Sequence, residues 1–400
     1  MEPIDMQKDF SEIINHLGEE RDQYFDAVAP PIIQSNNFMF RTVDAMRHGL
    51  ANEMDAPFYT RGHNPTVAIL RKKLAALEGA EECLVFSSGS AAIGAAVMST
   101  VEAGDHVICV AKPYSWTTKL LTKLLARFGV SSTFVDGTDP RNFEEAILPE
   151  TKLIMLESPN SMTFEMQDLE AVVAIAKAHG IMTAIDNSYA SPLNQQPITY
   201  GVDMVMHSGS KYLNGHSDIV AGVLCCSRAQ AEKIFAGEYM TLGGIISPHD
   251  AWLMLRGLRT LPIRMDRVAE MTPKVVSFLE GHPAIEKVYY PFSQHNPQLA
   301  LAQKYMRQPA GQFSILLKSE EADSIDLFCN SLRHFLMACS WGGYESLIFP
   351  ISALYDSANY SHTTLPRNLI RFYIGLEDAD MLIQDLEQAL EKISVGAVRN

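Results

Sequence analysis

Residues 181–212 read I-M-T-A-I-D-N-S-Y-A-S-P-L-N-Q-Q-P-I-T-Y-G-V-D-M-V-M-H-S-G-S-K-Y and give the clearest indication of the fold class. It contains two short apolar runs, residues 182–185 and 204–206, and polar residues follow each run directly. Short apolar runs bounded by turn formers are typical of strands buried on both faces, as in a parallel sheet. Because ligands bind beyond the carboxyl ends of the strands in open α/β sheets, the polar residues after these runs are candidate binding residues.

The same pattern continues in both directions along the chain. Amphipathic segments, such as residues 117–127 and 168–179, lie between short apolar runs and indicate helices between strands. The five further strand candidates are residues 83–86, 106–110, 133–135, 153–156 and 220–226. Strands that alternate with helices predict an α/β domain with a mainly parallel, seven-stranded sheet that is covered on both faces.

Three regions follow one another along the chain. Residues 1–62 are rich in turn formers and contain no strong core strand, residues 63–255 contain the predicted sheet, and residues 256–400 form a smaller C-terminal α/β domain. The last region is introduced by a helical pattern that Pro262 is expected to interrupt, because proline lacks the N–H that a helix interior needs. Its predicted elements are a helix over 251–280, strands over 313–317 and 369–374, and a helix over 378–393.

Composition excludes several classes of protein. The chain has 400 residues, 47% hydrophobic and 20% charged, as in soluble globular proteins. Its net charge of −15 disfavours nucleic acid or an anionic membrane as a partner. No apolar stretch approaches the roughly 18 residues that a membrane helix needs, and the acidic N-terminus has no secretory signal, so we expect a cytoplasmic protein. The six cysteines form no C-x-x-C pair and the histidines no H-E-x-x-H motif, so we expect reduced thiols and no metal site.

The stretch Ser87-Ser88-Gly89-Ser90 follows one predicted strand and precedes a helical run. Free backbone N–H groups and the positive end of the helix dipole meet at such a point, which can therefore bind an anion. The alternative interpretation is an ordinary serine N-cap with a tight glycine turn.

Asp186 and Lys211 each follow a predicted strand. A carboxylate at a strand end is partly buried and favours a cationic partner, although Asp186 could also be a turn residue. Ser208 and Ser210 are two residues apart, so in extended chain both hydroxyls would point to one side. Desolvation beside an apolar strand end would lower the pKa of Lys211 and make its amine nucleophilic, whereas most lysines are simply solvated.

Arg371 lies within the apolar string N-L-I-R-F-Y-I-G-L. An arginine in such a strand needs an anion, either a bound carboxylate held by the guanidinium fork or a structural salt-bridge partner. Together the four positions supply an anion cradle, a carboxylate, an amine and a carboxylate clamp. No common structural role needs that set.

With these residues assembled, the chain resembles the Cys/Met-metabolism pyridoxal-phosphate (PLP) enzymes of fold type I, from about residue 28 to residue 393. Five motifs carry the resemblance. They are Y-T-R-G-H-N-P-T at 59–66, S-S-G-S-A-A at 87–92, I-D-N-S-Y at 185–189, S-G-S-K-Y-L-N-G-H-S-D at 208–218 and L-R-G-L-R-T-L at 255–261.

The resemblance implies a role for each candidate. Lys211 would carry the PLP cofactor as a Schiff base, Asp186 would hold the pyridine nitrogen, and Tyr114 would stack on the ring. Arg371, with Ser340, would bind the substrate carboxylate, and Trp341 and Tyr59 would also contact the substrate. The residues implied in phosphate binding are Ser88, Gly89, Ser90, Ser208 and Ser210.

The resemblance also implies a homo-oligomer, a dimer of dimers. Tyr59 and Arg61 of the N-terminal arm would complete the phosphate site of a neighbouring subunit. Besides other copies of this chain, the implied partner is the substrate, a small sulfur amino acid.

Local strings are similar to bacterial cystathionine β-lyase: E-S-P-N-S-M-T-F-E at 157–165, S-W-G-G-Y-E-S-L-I at 340–348 and L-I-R-F-Y-I-G-L-E-D at 369–378. This branch implies a carbon–sulfur lyase of transsulfuration and methionine biosynthesis. It would convert L-cystathionine, or a cysteine S-conjugate, to homocysteine or another thiol, pyruvate and ammonia.

Two alternatives stay open. The string G-H-N-P-T after Arg61 is more similar to the γ-lyase and γ-synthase branches, so the first alternative is a cystathionine γ-synthase, γ-lyase or O-acylhomoserine sulfhydrylase. Trp116 stands where methionine γ-lyases usually have a cysteine, which argues against methionine as the substrate. The second alternative is a non-catalytic regulatory protein of the same fold.

Overall fold

The computed structural model describes residues 6–355, 357 and 364–396. The first five and last four residues, at the ends of the predicted arm and C-terminal domain, lie outside the described residues. The chain divides into two compact units. The first runs from the described N-terminus to Ser158 and adds Gln167–Asn214 and Asp218–Leu261, and the second comprises Pro159–Met166, Gly215–Ser217 and the chain from Pro262 onward.

A seven-stranded sheet forms the centre of the first unit. Its strands are β1 (Glu82–Phe86), β2 (His106–Val110), β3 (Ser131–Val135), β4 (Thr151–Glu157), β5 (Met182–Asp186), β6 (Met204–Ser208) and β7 (Gly222–Cys226). The spatial order is β1-β7-β6-β5-β4-β2-β3. Strand β7 runs antiparallel to β1 and β6 on either side of it, and the pairings among β6, β5, β4, β2 and β3 are parallel. The predicted α/β fold with a mainly parallel sheet is confirmed, and every predicted strand of this sheet is present.

Helices in the first unit begin and end where the sequence carries capping residues. Asn64 caps α3 by accepting a hydrogen bond from the Thr66 N–H at 3.0 Å, and Gly79 ends that helix in the left-handed conformation. The helices are α1 (Met6–Asn15), α2 (Val43–Ala51), α3 (Pro65–Glu78), α4 (Gly89–Met98), α5 (Ser115–Lys119), α6 (Arg141–Glu145), α7 (Leu169–Ala178), α8 (Ser191–Asn194), α9 (Arg228–Ile234) and α10 (Met240–Leu242). A further helix, α11 (Pro248–Gly281), belongs to the first unit as far as Leu261 and to the second unit from Pro262. The predicted helix over 117–127 is irregular, because α5 continues as a π turn (Leu120–Leu124) and a 3-10 turn (Leu125–Phe128).

The core of this unit lies where α4 packs on one face of the sheet. Ala92, Ala95 and Ala96 of α4 are buried in one cluster with alternate residues of the strands, such as Leu84 and Met206. Small side chains on α4 let its backbone approach the sheet closely. That approach fixes where the helix N-terminus lies relative to the strand ends.

The helix α11 corrects one expectation. It runs from Pro248 to Gly281 with Pro262 and Pro273 inside it, so Pro262 does not end the helix. An internal proline costs about 3 kcal/mol in lost hydrogen bonding and steric clash. Buried residues on both sides of it, such as Leu258 and Met265, provide hydrophobic burial that offsets this cost.

The second unit contains a five-stranded sheet in the order β10-β11-β12-β9-β8. Its strands are β8 (Ile285–Tyr289), β9 (Gln312–Leu317), β10 (Leu336–Met337), β11 (Leu347–Pro350) and β12 (Leu369–Tyr373), and its further helices are α12 (Leu299–Tyr305), α13 (Ala322–Ser331), α14 (Ser352–Tyr355) and α15 (Ala379–Gly396). The two predicted strands and the predicted last helix are present. Strands β8, β10 and β11 were not predicted from the sequence, because β10 and β11 have only two and four residues and β8 exposes Glu286 and Lys287.

Among the residues that the structure describes, every helix is too short or too polar to cross a membrane.

Candidate active site

The carboxyl ends of the central strands bring the predicted residues of the first unit together. Glu157 at the end of β4 pairs in register with Asp186 at the end of β5, and Asp186 pairs with Met206 on β6. On the other side, Gly222 at the start of β7 lies between Phe86 of β1 and Ser208 of β6. Side chains that are distant in sequence therefore share one edge of the sheet.

Asp186 is buried, with 8% of its surface exposed. Its Oδ1 accepts hydrogen bonds from the Ser188 N–H at 3.0 Å and the Ser188 hydroxyl at 2.5 Å. Ser188 Oγ in turn accepts from the Ser208 N–H at 2.6 Å, which ties β5 to β6. Burial raises the pKa of the Asp186 carboxyl, and the Ser188 hydrogen bonds and the charges of His207 and Lys211 oppose that rise. A cation placed against this carboxylate would stabilise its ionised form.

Lys211 lies in a turn directly after β6, and its N–H donates to the Ser208 carbonyl at 3.2 Å. The expectation of extended chain through Ser210 is wrong, since β6 ends at Ser208 and residues 209–214 form turns. Gly209 lets the turn lie close to its neighbours, because a Cβ there would lie 2.9 Å from Met254 Cε and 3.0 Å from Ala221 Cβ. The Ser210 hydroxyl accepts a hydrogen bond from the Ala221 N–H at 3.0 Å.

The predicted anion cradle is a capped helix N-terminus against β6. Ser88 caps α4 by accepting a hydrogen bond from the Ala91 N–H at 3.1 Å. A Cβ on Gly89 would lie 3.0 Å from both Cα and Cβ of Ser208. A Cβ on Gly222 would overlap the Ser88 carbonyl oxygen. Two glycines thus let the start of α4 touch the end of β6, while Ser90 is exposed.

Tyr114 is placed by a contact to Glu157 that nothing in the sequence indicated. Its backbone N–H donates to Glu157 Oε2 at 2.6 Å, and Glu157 is buried at the end of β4. The Tyr114 side chain is 37% exposed. Since Glu157 pairs with Asp186, this bond fixes the backbone of Tyr114 one strand away from the buried carboxylate.

A second missed feature is a buried pair behind the strand ends. His207 Nε2 lies 2.7 Å from Glu78 Oε2, and both side chains are almost fully buried. Burial raises the pKa of the Glu78 carboxyl, while the bond to His207 opposes the rise. At the end of β6, the sequence indicated a functional role for Ser208 and none for the preceding His207. The acid on α3 carried no local signal, because it is 129 residues away.

Tyr59 and Arg61 are exposed on the N-terminal arm. The Arg61 guanidinium lies over the Tyr59 ring, 5.6 Å from its centroid. A Cβ on Gly243 would be 3.8 Å from Arg61 Cδ.

Arg371, in the second unit, is half-buried on β12. Its Nη2 donates to the Cys339 carbonyl at 2.9 Å, and its guanidinium carbon lies 5.2 Å from the centroid of the Phe349 ring. Ser340 and Trp341, also half-buried, directly follow Cys339 in the chain. The structure therefore brings the residues predicted to bind the substrate carboxylate together within this unit. In the part of the chain that the structure describes, no cluster of His, Cys, Asp or Glu is placed to hold a metal ion.

Comparison with known proteins agrees with this geometry. The family model for the Cys/Met metabolism PLP-dependent enzymes matches residues 12–391. The chain is 38% identical to cystathionine gamma-lyase of Bacillus subtilis, over 94% of this chain and 98% of that protein. It is 37% identical to L-methionine gamma-lyase of Pseudomonas deceptionensis (96% and 98% covered) and 35% identical to cystathionine beta-lyase of Lactococcus lactis (94% and 97%). The crystal structure of metB from Corynebacterium glutamicum superposes with a TM-score of 0.90, at 33% identity, over 98% of this chain and 100% of that one.

Proposed function

The chain belongs to the Cys/Met metabolism PLP-dependent enzymes, and from that premise we propose that it releases a thiol from L-cystathionine, or a related cysteine S-conjugate, by β-elimination. The family makes it a PLP-dependent carbon–sulfur lyase with pyridoxal 5′-phosphate as cofactor.

The first unit fits this cofactor on two observations. Gly89 has no room for a Cβ beside Ser208, which leaves the backbone N–H groups at the start of α4 beside the end of β6. Such an N-terminus binds phosphate. Asp186 is a buried carboxyl with a raised pKa, and the cationic pyridine nitrogen is a partner that would restore its charge. We propose that Ser88, Gly89, Ser90, Ser208 and Ser210 form the phosphate site.

When bound, PLP supplies an electron sink for the charge that develops on the substrate Cα. Lys211 would hold the cofactor, and its neutral amine would accept the proton from the substrate Cα. Asp186 would hold the pyridine nitrogen, and the Ser188 hydrogen bonds fix the Asp186 carboxyl for that role. Tyr114 would stack on the cofactor ring.

Arg371 and Ser340 bind the substrate carboxylate, and Trp341 contacts the remainder of the substrate. The guanidinium fork matches a carboxylate in geometry as well as charge. Breakage of the Cβ–S bond releases a thiolate, which Lys211 or Tyr114 protonates. The remaining carbon skeleton takes up water and yields pyruvate and ammonia.

The observation that favours β-elimination is the string S-W-G-G-Y-E-S-L-I at 340–348, which contains Ser340 and Trp341 and is similar to bacterial cystathionine β-lyase. A second candidate is γ-elimination, which uses the same residues. Relatives named cystathionine gamma-lyase and L-methionine gamma-lyase, at 38% and 37% identity, favour it. Trp116 argues against methionine itself as the substrate.

Product analysis distinguishes the two. The purified holoenzyme is given L-cystathionine, and the 2-oxo acid and the thiol are identified together. We expect pyruvate with homocysteine. Formation of 2-oxobutyrate with cysteine would refute β-elimination and support the γ branch. If neither 2-oxo acid forms while the cofactor's absorbance band is present, the lyase assignment for cystathionine fails.

We also propose a homo-oligomer in which the N-terminal arm contacts a second copy of the chain. Large apolar side chains of this arm, including Phe25, Val28, Met39 and Val43, are between 68% and 101% exposed. Water-exposed apolar side chains concentrated in one segment are expected where a protein interface covers them. In this assembly Tyr59 and Arg61 reach the phosphate site of the neighbouring subunit.

A further inference from the structure

Gln312 begins β9 and lies beside Arg371. In the antiparallel pairing of β9 with β12, Gln312 is opposite Tyr373 and Ser314 is opposite Arg371. All four side chains share one face of the sheet, because alternate residues of a strand point the same way. Gln312 is 2% exposed. Burial of an amide costs free energy unless its polar atoms are hydrogen-bonded, so the Gln312 amide is expected to have hydrogen-bond partners.

The partners of the Gln312 side chain decide its orientation. Two donors, Arg371 Nε and Trp341 Nε1, each lie 3.2 Å from the same terminal amide atom. Guanidinium and indole nitrogens can only donate, so an amide nitrogen at that position would face two donors. The atom is therefore the amide oxygen, which accepts both hydrogen bonds.

This shared acceptor joins two residues of the proposed substrate site. Gln312 Oε1 holds Arg371 at Nε, and the Cys339 carbonyl holds it at Nη2, so the two contacts fix the plane of the guanidinium. Both acceptors are neutral, so neither of them cancels the positive charge that a carboxylate ligand would meet. The same oxygen fixes the edge of the Trp341 indole.

We propose that Gln312 is a positioning residue, which orients the Arg371 guanidinium, together with the Trp341 indole, to receive the carboxylate of an amino-acid substrate. The inference rests on the carboxylate-binding role proposed for Arg371. Gln312 acts through Arg371 and takes no part in the bond-breaking steps.

The test uses two ligands that differ only at the carboxylate. L-Alanine has no leaving group, and L-alaninamide lacks the carboxylate, so titrating the cofactor's absorbance band with each measures binding apart from elimination. The variant Gln312→Met keeps the side-chain volume and removes the acceptor. We expect the Kd for L-alanine to rise about 10-fold, as for loss of a hydrogen bond to a charged group, and the Kd for L-alaninamide to change less than about 2-fold.

The matched control is Ser314→Ala. Ser314 is on the same strand and face, is opposite Arg371, and its buried hydroxyl has no hydrogen-bond partner among the described residues. Its removal should leave both Kd values unchanged. In an Arg371→Leu background, Gln312→Met should have no further effect on L-alanine binding.

An equal rise in the Kd values of L-alanine and L-alaninamide would overturn the proposal, because a residue with a merely structural role would affect both ligands whether or not they carry a carboxylate. So would an unchanged Kd for L-alanine, or an effect that persists without Arg371. If Gln312→Met does not fold, Gln312→Glu keeps an oxygen acceptor in the same place. The negative charge of the glutamate should compete with the ligand carboxylate and weaken the binding of L-alanine but not that of L-alaninamide. If both ligands bind as they do to the wild type, or are weakened equally, the inference is refuted. Failure of the lyase proposal is seen separately, as no 2-oxo acid from L-cystathionine with the wild type.

Discussion

Substitution of Gly89 by alanine tests whether the start of α4 and the end of β6 form the phosphate site. A Cβ at this position would lie 3.0 Å from Ser208 Cα and Cβ, whereas ordinary contacts are 3.4–4 Å. The neighbours are a backbone atom and the first side-chain atom, which cannot rotate away. The helix N-terminus must therefore move away from Ser208 by a few tenths of an ångström.

The size of the effect follows from this clash. Adding one methyl group to a packed position costs about 1–3 kcal/mol when backbone must shift. If the shift falls on the cofactor site, the Kd for PLP rises roughly 5- to 150-fold. The capping bond from the Ala91 N–H to Ser88 stays possible, so the helix itself should persist.

The assay is a titration of cofactor-free protein with PLP, followed by absorbance and by the midpoint of thermal unfolding. Gly94→Ala is the matched control, because it adds the same methyl group to the same helix and its nearest neighbour is a flexible Met98 methyl at 3.8 Å. That control should bind PLP normally and be equally or slightly more stable, since alanine favours helix over glycine. Normal PLP affinity in Gly89→Ala would refute the cradle.

Three further predictions test other parts of the site. Lys211→Ala should keep the fold but lose turnover and the absorbance band of the Schiff base, and near-normal activity would exclude Lys211 as the cofactor lysine. Burial raises the pKa of Asp186, so the folded protein keeps this proton at pH values where the unfolded chain has lost it, and stability falls as the pH rises through that range. Cofactor-free Asp186→Asn should therefore unfold at a higher temperature than the wild type at pH 8, with the difference shrinking toward the ordinary carboxyl pKa, and a constant difference would contradict the buried charge. Arg61→Ala should weaken PLP retention, and mixed oligomers with Lys211→Ala should recover part of the activity. No recovery in verified mixed oligomers would argue against a site shared between subunits.

Local sequence determined most of the first unit. Its strands are short apolar runs buried on both faces. In His106–Val110 all five residues are buried, so no solvent-facing polar residues interrupt the apolar run. The strand β8 was missed because it exposes Glu286 and Lys287 and so lacks a continuous apolar run. The prediction that Pro262 interrupts the helix was wrong, because burial along α11 outweighs the local helix-breaking tendency of proline.

In the candidate site, too, some features could be identified from local sequence and others only from the folded structure. Asp186, Lys211 and the Ser88-Gly89 turn could be identified from local sequence, because strand ends and helix caps are encoded locally. The contacts that hold these residues in place depend on the folded chain. Gly89 meets Ser208 across 119 residues, Glu157 fixes Tyr114 across 43, and Gln312 meets Arg371 on a neighbouring strand. Such contacts depend on strand order and register, which arise from the packing of the whole sheet and leave no mark in the local sequence.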